Sequence, residues 1–204
     1  MRDLTERALA AMRKRGFLVH TFESSAEMKA FVLSSIPETA SVGFGGSMTV
    51  ASLGIYEALS SRGCALYDHS KGKTPEERAA LMRAEFSADV FIMSSNAVTA
   101  GGCLYNVDGR GNRVAALAGG PKTAYILLGE NKFVETDADA VERVRSVAAP
   151  KNAARLGKKT PCVQTGRCMD CSSPDRICNV ALWSDRPFMG QTVYVCVCPE
   201  ELGL

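Results

Sequence analysis

SVGFGGSMTVASLG, residues 41–54, passes from a short apolar run through closely spaced glycines into a segment with helical spacing. It reads as a strand over 40–44, a glycine turn, and a helix continuing to about Ser60. A strand that hands directly to a helix in this way is half of a βαβ unit, the building block of a parallel sheet. Gly43, Gly45 and Gly46 let the backbone approach a ligand closely, while Ser47 and Thr49 stand where a helix start presents unpaired amides to an anion. The turn lacks the third glycine of a dinucleotide fingerprint and the Gly-Lys-Ser/Thr of a Walker loop. Strand-to-helix turns also use glycine for packing alone, so the turn admits both an anion site and a packing role.

The same alternation extends in both directions. Upstream, DLTERALAAMRKRG places Leu4, Ala8, Ala11 and Met12 on one helical face, with Gly16 as its cap. A strand over 17–22 follows, then a helix over 24–36 stopped by Pro37. Downstream, CALYD (64–68) is a strand. KTPEERAALMRAEF carries Thr74 as N-cap, Pro75 at the first helical position and Glu77 three residues after the cap, a full helix-start signature. DVFIMSS (89–95) and TAYILLGE (123–130) are continuous apolar runs, as expected of strands covered on both faces. Two apolar runs around Asp108-Gly109-Arg110-Gly111 predict a hairpin. A helix over 136–147, a shorter helical piece from Pro150 and a strand over 191–198 complete the chain. The expected architecture is one α/β domain over 1–204, a mainly parallel sheet with helices on both faces, bearing a cysteine-rich segment over 158–180.

Composition narrows the function. At 46% hydrophobic and 23% charged, 204 residues can bury a full core without disulfides. Lys plus Arg (24) nearly balances Asp plus Glu (22), which argues against nucleic acid as partner. No apolar run approaches the ~20 residues of a membrane span, and the charged N-terminus is unlike a signal peptide. The expectation is a cytoplasmic protein with reduced thiols.

Ligands of open parallel sheets lie beyond the carboxyl ends of the strands. That rule nominates the 43–49 turn, Asp68 and Asn96 as ligand-binding positions. Within NAVTAGGCLYNVDGRGNRVAAL, Thr99 and Arg113 are added, the latter because an arginine fork beside an apolar strand can hold a carboxylate or phosphate. Lys132 follows another strand end. His20 reads as structural within a strand. His69, next to Asp68, has a catalytic role open to it. No Gly-x-Ser-x-Gly elbow suggests a serine hydrolase.

TPCVQTGRCMDCSSPDRICN (160–179) holds half of the eight cysteines, at Cys162, Cys168, Cys171 and Cys178. Four thiols in an aperiodic segment suit an iron–sulfur cluster or tetrahedral zinc. The single C-x-x-C falls short of the paired motif of zinc ribbons, which favours the cluster, with [4Fe–4S] ahead of zinc. Free thiols remain the alternative. Cys64, Cys103, Cys196 and Cys198 lie in or beside strands and read as small buried hydrophobes.

Together, SVGFGGSMT, NAVTAGGCLYNVDGRGNRVAAL with GPK and GENK, AAPKNAARL, the cysteine segment and the closing EELGL resemble the lactate-utilisation (LUD) domain family, in its short subgroup. The pattern departs at position 101, where the family aspartate is replaced by Gly101. The resemblance implies the three-layer fold of the sugar-phosphate isomerase and CoA-transferase superfamily, whose enzymes hold a phosphate, CoA or nucleotide moiety at the equivalent of Gly43–Thr49. It also implies a link to oxidation of lactate or related acids alongside iron–sulfur partners, but hands over no catalytic residues. The leading expectation is a redox accessory or subunit with a four-cysteine cluster and a small anionic metabolite. Its expected partners are other iron–sulfur or oxidoreductase subunits or a second copy of the chain, without nucleic acid or membrane. The alternative is an enzyme or sensor for a phosphorylated or CoA-linked molecule, with zinc or no metal at the cysteines.

Overall fold

The computed structural model describes residues 2–204. Six strands form one all-parallel sheet: β1 (Leu18–Thr21), β2 (Ser41–Phe44), β3 (Ala65–Tyr67), β4 (Val90–Met93), β7 (Thr123–Gly129) and β10 (Thr192–Cys198), in the order β1-β10-β7-β4-β2-β3. A second sheet holds β5 (Ala97–Thr99), β6 (Leu104–Asp108), β8 (Phe133–Val134) and β9 (Val180–Ser184), in the order β8-β5-β6-β9. Mixed α/β architecture with a mainly parallel central sheet is therefore what the chain adopts.

The pleat of the long central strands sorts their side chains onto two faces. Ala124, Ile126 and Leu128 of β7, with Val193, Val195 and Val197 of β10, pack against α1 (Asp3–Lys14), α6 (Asn112–Gly119) and residues of the small sheet. Tyr125, Leu127, Cys196 and Cys198 face the other way, onto α2 (Ser25–Ser35), α3 (Met48–Ser52) and α4 (Ile55–Ser61). Both faces are covered, which is why these strands read as unbroken apolar runs. The buried face of α1 is Thr5, Ala8, Leu9 and Met12, so Leu9 replaces Ala11 as the core contact. Burying a leucine stabilises by roughly 1.5–3 kcal/mol, which outweighs the small gain from a methyl.

Helix-start chemistry behaves as the residues dictate. Thr74 caps α5 (Pro75–Ser87) and Glu77 answers it in a complete capping box. α7 (Asp137–Arg143) begins with the same device from Thr136 and Asp139. It passes through a π-helical stretch, Val144–Ala148, into α8 (Ala149–Arg155). The wide turn falls just before Pro150, whose ring has no N–H to offer the preceding ladder.

Three expectations are corrected. The helix expected to run to Ser60 is two helices, α3 and α4, broken where Gly54 takes a left-handed φ of 61°. The hairpin does not turn at 108–111: β5 and β6 pair through the Ala100–Cys103 turn, and the second apolar run belongs to α6. The cysteine segment contains one short helix, α9 (Pro161–Thr165), and is followed by β9, which the sequence did not announce. β10 then enters the middle of the main sheet, between β1 and β7. The cysteine segment is thus enclosed between framework elements.

Candidate functional site

The carboxyl ends of β2, β3, β4 and β7 open onto one cavity of about 780 Å3. Gly45, Gly46, Ser47, Thr49, Asp68, Asn96, Arg113 and Lys132 all border it. Residues that come from five separate stretches of chain are brought together by the sheet, as expected for an open parallel sheet. Two nominated residues lie elsewhere. Gly43 sits within β2, where a Cβ would stand 2.8 Å from the Glu85 carbonyl oxygen and 3.1 Å from Phe91. Its glycine admits α5, not a ligand. Thr99 borders a separate cavity of about 390 Å3 and accepts the Cys103 amide at 3.3 Å, closing the hairpin turn.

Around the main cavity, much of the polar chemistry is already engaged. Arg113 Nε donates to Asp108 Oδ1 at 2.7 Å, and its Nη2 donates to Asn96 Oδ1 at 3.0 Å and to the Val107 carbonyl at 2.8 Å. Asp108 Oδ2 accepts the Val114 amide at 2.9 Å. Most of the guanidinium is therefore spent on the protein, and Arg113 is a brace for the cavity wall rather than an open fork. Gly45 serves that brace: a Cβ there would lie 2.8 Å from Arg113 Cγ. Ser47 is likewise committed, its Oγ accepting the Val50 amide at 3.3 Å as the cap of α3. Thr49 is packed under the chain end, where a Cβ on Gly203 would meet its Oγ1.

His69 is held from behind. Its backbone N–H and its Nδ1 both meet Glu85 Oε1, at 2.6 and 2.7 Å. Glu85 is fully buried and is the buried side chain of α5. The hydrogen bond to Glu85 raises the His69 pKa above its ordinary value. Among the described residues, the metal-capable side chains whose ligand atoms gather within 4.8 Å of one another are Asp68, His69 and Glu85. Their closeness comes from the Nδ1–Oε1 hydrogen bond, which uses the ring nitrogen on that side, so this is a hydrogen-bonded cluster and not an open ligand set. Nothing in the sequence of α5 marked Glu85, since one acid among Glu76, Glu77 and Glu85 looks like surface.

Lys132 is 2% exposed and donates to the backbone oxygen of Leu204. Burial, with Arg143, Arg113 and Lys151 nearby, pushes its pKa down to about 7. Burial also lowers the Arg143 pKa; that side chain donates to the carbonyls of Asn96 at 2.6 Å and Asn131 at 2.9 Å. Ser94 Oγ and Asn112 Nδ2 are buried at the cavity edge and hydrogen-bond to no protein group.

The cysteine segment supplies part of the wall: Pro174, Asp175, Arg176 and Ile177, between Cys171 and Cys178, border the same cavity. Ile177 packs on Gly109, where a Cβ would stand 3.3 Å from its backbone. Asn179 N–H donates to the Asp108 carbonyl at 2.9 Å, and its side chain to the Gly109 carbonyl at 3.2 Å. Arg176 fastens the loop, donating to the carbonyls of Cys178 at 3.0 Å and Cys171 at 2.5 Å and pairing with Asp170 at 2.9 Å. The four thiols are half-buried and joined in no disulfide among the described residues. Burial pushes the Cys178 thiol up, Arg176 opposes it, and the neighbouring Cys168, Cys171 and Cys162 add to the rise. In the C-x-x-C turn Asp170 adopts a left-handed φ of 46° and its N–H donates to Cys168 Sγ at 3.4 Å. No three of these sulfurs fall within 4.8 Å among the described residues. Tetrahedral zinc would need them about 3.8 Å apart, from Zn–S bonds of about 2.3 Å. A cluster seats each thiolate on its own iron and spreads them farther.

The other cysteines are buried: Cys196 and Cys198 are fully enclosed, and burial takes the Cys196 thiol to about 12. His20 packs at a tilt against Phe31, ring centroids 4.5 Å apart, and is a packing residue. No described helix is long and apolar enough to cross a membrane.

A family model described as LUD domain matches residues 5–195. Among solved structures, a DUF162 family protein from Deinococcus radiodurans aligns over 96% of each chain with a TM-score of 0.54 and 12% sequence identity, a likeness of fold. No curated protein matches the chain.

Proposed function

The chain belongs to the LUD domain family, and from that premise we propose that it serves the utilisation of lactate or a related organic acid. In this reading it is a redox accessory or subunit that holds a small anionic metabolite in the strand-end cavity. Cys162, Cys168, Cys171 and Cys178 carry an iron–sulfur cluster beside it. The observation behind the anion reading is the charge of the walls. Eight lysines and arginines but four acids border the cavity, in a chain whose totals are 24 and 22. A cleft lined by one sign of charge concentrates ligands of the other. Gly45 and Gly46 keep the turn low enough for close approach, Ser94 Oγ and Asn112 Nδ2 supply free hydrogen-bonding groups, and Lys132 supplies an amine. Asn96 and Arg113 shape the wall, while Gly43 and Thr99 leave the proposed set.

The spread of the sulfurs favours a cluster over zinc, while the N–H donated to Cys168 Sγ suits a thiolate bound to either metal and, in a cluster, would tune the potential. When bound, the cluster would supply one-electron chemistry. The chain's own part is to hold four thiolates on a loop whose middle residues wall the cavity.

Anaerobic purification with iron and acid-labile sulfide analysis tests the cluster. Brown protein that loses its iron in Cys168→Ser is expected, and a colourless wild type without iron or sulfide refutes it. Thermal shift with lactate, pyruvate, a sugar phosphate and CoA tests the cavity. A ligand at a hundredfold its Kd stabilises by about 2.7 kcal/mol, or about 5–10 °C for a chain of this size. The cavity of about 780 Å3 is several times a three-carbon acid, which favours a second reading, a phosphorylated or CoA-linked ligand. The same four probes separate the two.

A further inference from the structure

We infer that His69 is the proton-transfer group of the cavity and Glu85 its positioning residue, exchanging a proton with the oxygen of a bound 2-hydroxy or 2-oxo acid. The inference rests on the organic-acid reading above and adds the residue that acts on the ligand.

The geometry is that of an oriented base. Glu85 is fully buried, and its Oε1 takes both the backbone N–H of His69 and Nδ1 of the ring. With Nδ1 donating to the carboxylate, the ring is fixed in one tautomer, and the lone pair of neutral imidazole lies on Nε2. Nε2 has no hydrogen-bond partner among the described residues, and the ring borders the cavity, with Cε1 3.8 Å from where a side chain on Gly46 would begin. Gly46 has a φ of 63°, where glycine is favoured, and its missing side chain leaves the space in front of the ring open. Glu85 Oε2, the other carboxylate oxygen, is buried without any hydrogen bond. A buried carboxylate so poorly satisfied costs stability, which points to a task other than holding the fold. A carboxylate behind an imidazole orients it and stabilises the imidazolium that forms on proton uptake.

The step balances within the pair. The hydroxyl O–H of the ligand breaks, the N–H at Nε2 forms, and the bonding electron pair stays on oxygen. In reverse, imidazolium returns that proton to the oxygen. The charged groups facing the ring are Glu85 from α5, Asp68 beside it and Arg110 from the loop between β6 and α6. The two acids favour imidazolium and Arg110 opposes it.

A group that shares one proton with the ligand oxygen binds a hydroxyl and a carbonyl with opposite pH profiles. Neutral His69 accepts from the hydroxyl of lactate, and charged His69 donates to the carbonyl of pyruvate. Affinities of the purified full chain for both probes, by titration calorimetry from pH 6 to 9, test this. Lys132 in the same cavity titrates near pH 7 and, as pH rises, weakens both anions alike. The quantity that reports His69 is therefore the ratio of lactate to pyruvate affinity, which should rise by up to tenfold per pH unit through the His69 pKa. In His69→Gln the two profiles should run in parallel, so that the ratio no longer changes with pH. NMR of the two histidines supports the reading, with His20 as an internal reference: the His69 pKa should fall in Glu85→Gln while the His20 signals stay in place. Because Glu85 lies wholly inside the fold, His69→Gln carries the test alone if Glu85→Gln fails to fold. A ratio of lactate to pyruvate affinity that does not rise with pH, or that rises equally in His69→Gln, overturns the role of His69. Failure of either probe to bind at tens of millimolar overturns the organic-acid reading beneath it, and the inference with it.

Discussion

Replacing Arg113 by methionine isolates what the brace behind the cavity contributes. The substitution keeps much of the stem over Gly45 and removes every donor. Asp108, whose side chain is 3% exposed, then loses its ion pair and keeps the Val114 amide at 2.9 Å. Breaking a buried pair from one side costs about 3–5 kcal/mol. The retained amide favours the low end, as does relief of Lys132 from a cationic neighbour. A loss of about 3 kcal/mol should lower Tm by about 6–12 °C in a chain of this length. Urea unfolding followed by circular dichroism measures it. Adding Asp108→Asn removes the stranded charge, so the double variant should lose at least 1 kcal/mol less than the sum of the singles, as coupled neighbours do. A loss below 1 kcal/mol for Arg113→Met, or strict additivity, would show that Arg113 is not braced against Asp108 and is free for a ligand.

Stability should depend on pH through Lys132. Its folded pKa near 7 lies below the unfolded value of 10.5. Between these the unfolded chain holds a proton that the folded chain has shed, so stability rises with pH, by the order of 1 kcal/mol per unit. Urea unfolding at pH 7, 8 and 9 should show wild type gaining on Lys132→Met, and parallel curves would refute it. Gly102→Ala should destabilise by at least about 2 kcal/mol, since φ is 80° and a Cβ would stand 2.7 Å from Met12 N and 2.9 Å from Ala11 C. An unchanged urea midpoint would contradict that packing. Arg176→Ala should speed hydrogen exchange across 168–178 by roughly tenfold, as the cost of two lost carbonyl bonds implies. Unaltered exchange would mean that the loop is held by something else.

What was legible in the sequence was whatever is encoded locally. The capping box at Thr74 needs only four consecutive residues, and the apolar runs of β4 and β7 follow from coverage on both faces. The strand ends could be named because a parallel sheet puts its ligands there whatever the loops contain. NRVAALAG was misread because so short an apolar run fits strand and helix alike, and the deciding element, the Ala100–Cys103 turn, lies well upstream. β9 was missed because it is an edge strand of the small sheet with most of its residues accessible, so no alternation betrays it. Glu85 was beyond reach for a different reason. Its burial depends on Gly43, more than forty residues earlier, letting α5 close onto β2.

The joining of cysteine loop and cavity could not be read from spacing either, yet it bears most on function. Had the thiols served only stability, nothing would require four of the six residues between Cys171 and Cys178 to line the cavity. Instead Pro174 to Ile177 wall the cavity, and Arg176 borders it while binding the carbonyls of the two flanking cysteines. A change in charge at the thiolates would act on Arg176 at close range, and so would an anion held in the cavity that Arg176 borders. Each then alters the free energy of the other, and linkage makes the two effects equal. An anion that binds at the strand ends should therefore shift the reduction potential of a cluster on this loop, and one that binds elsewhere should not. That shift, absent in Arg176→Ala, separates a cavity that works with the cysteines from one that merely adjoins them.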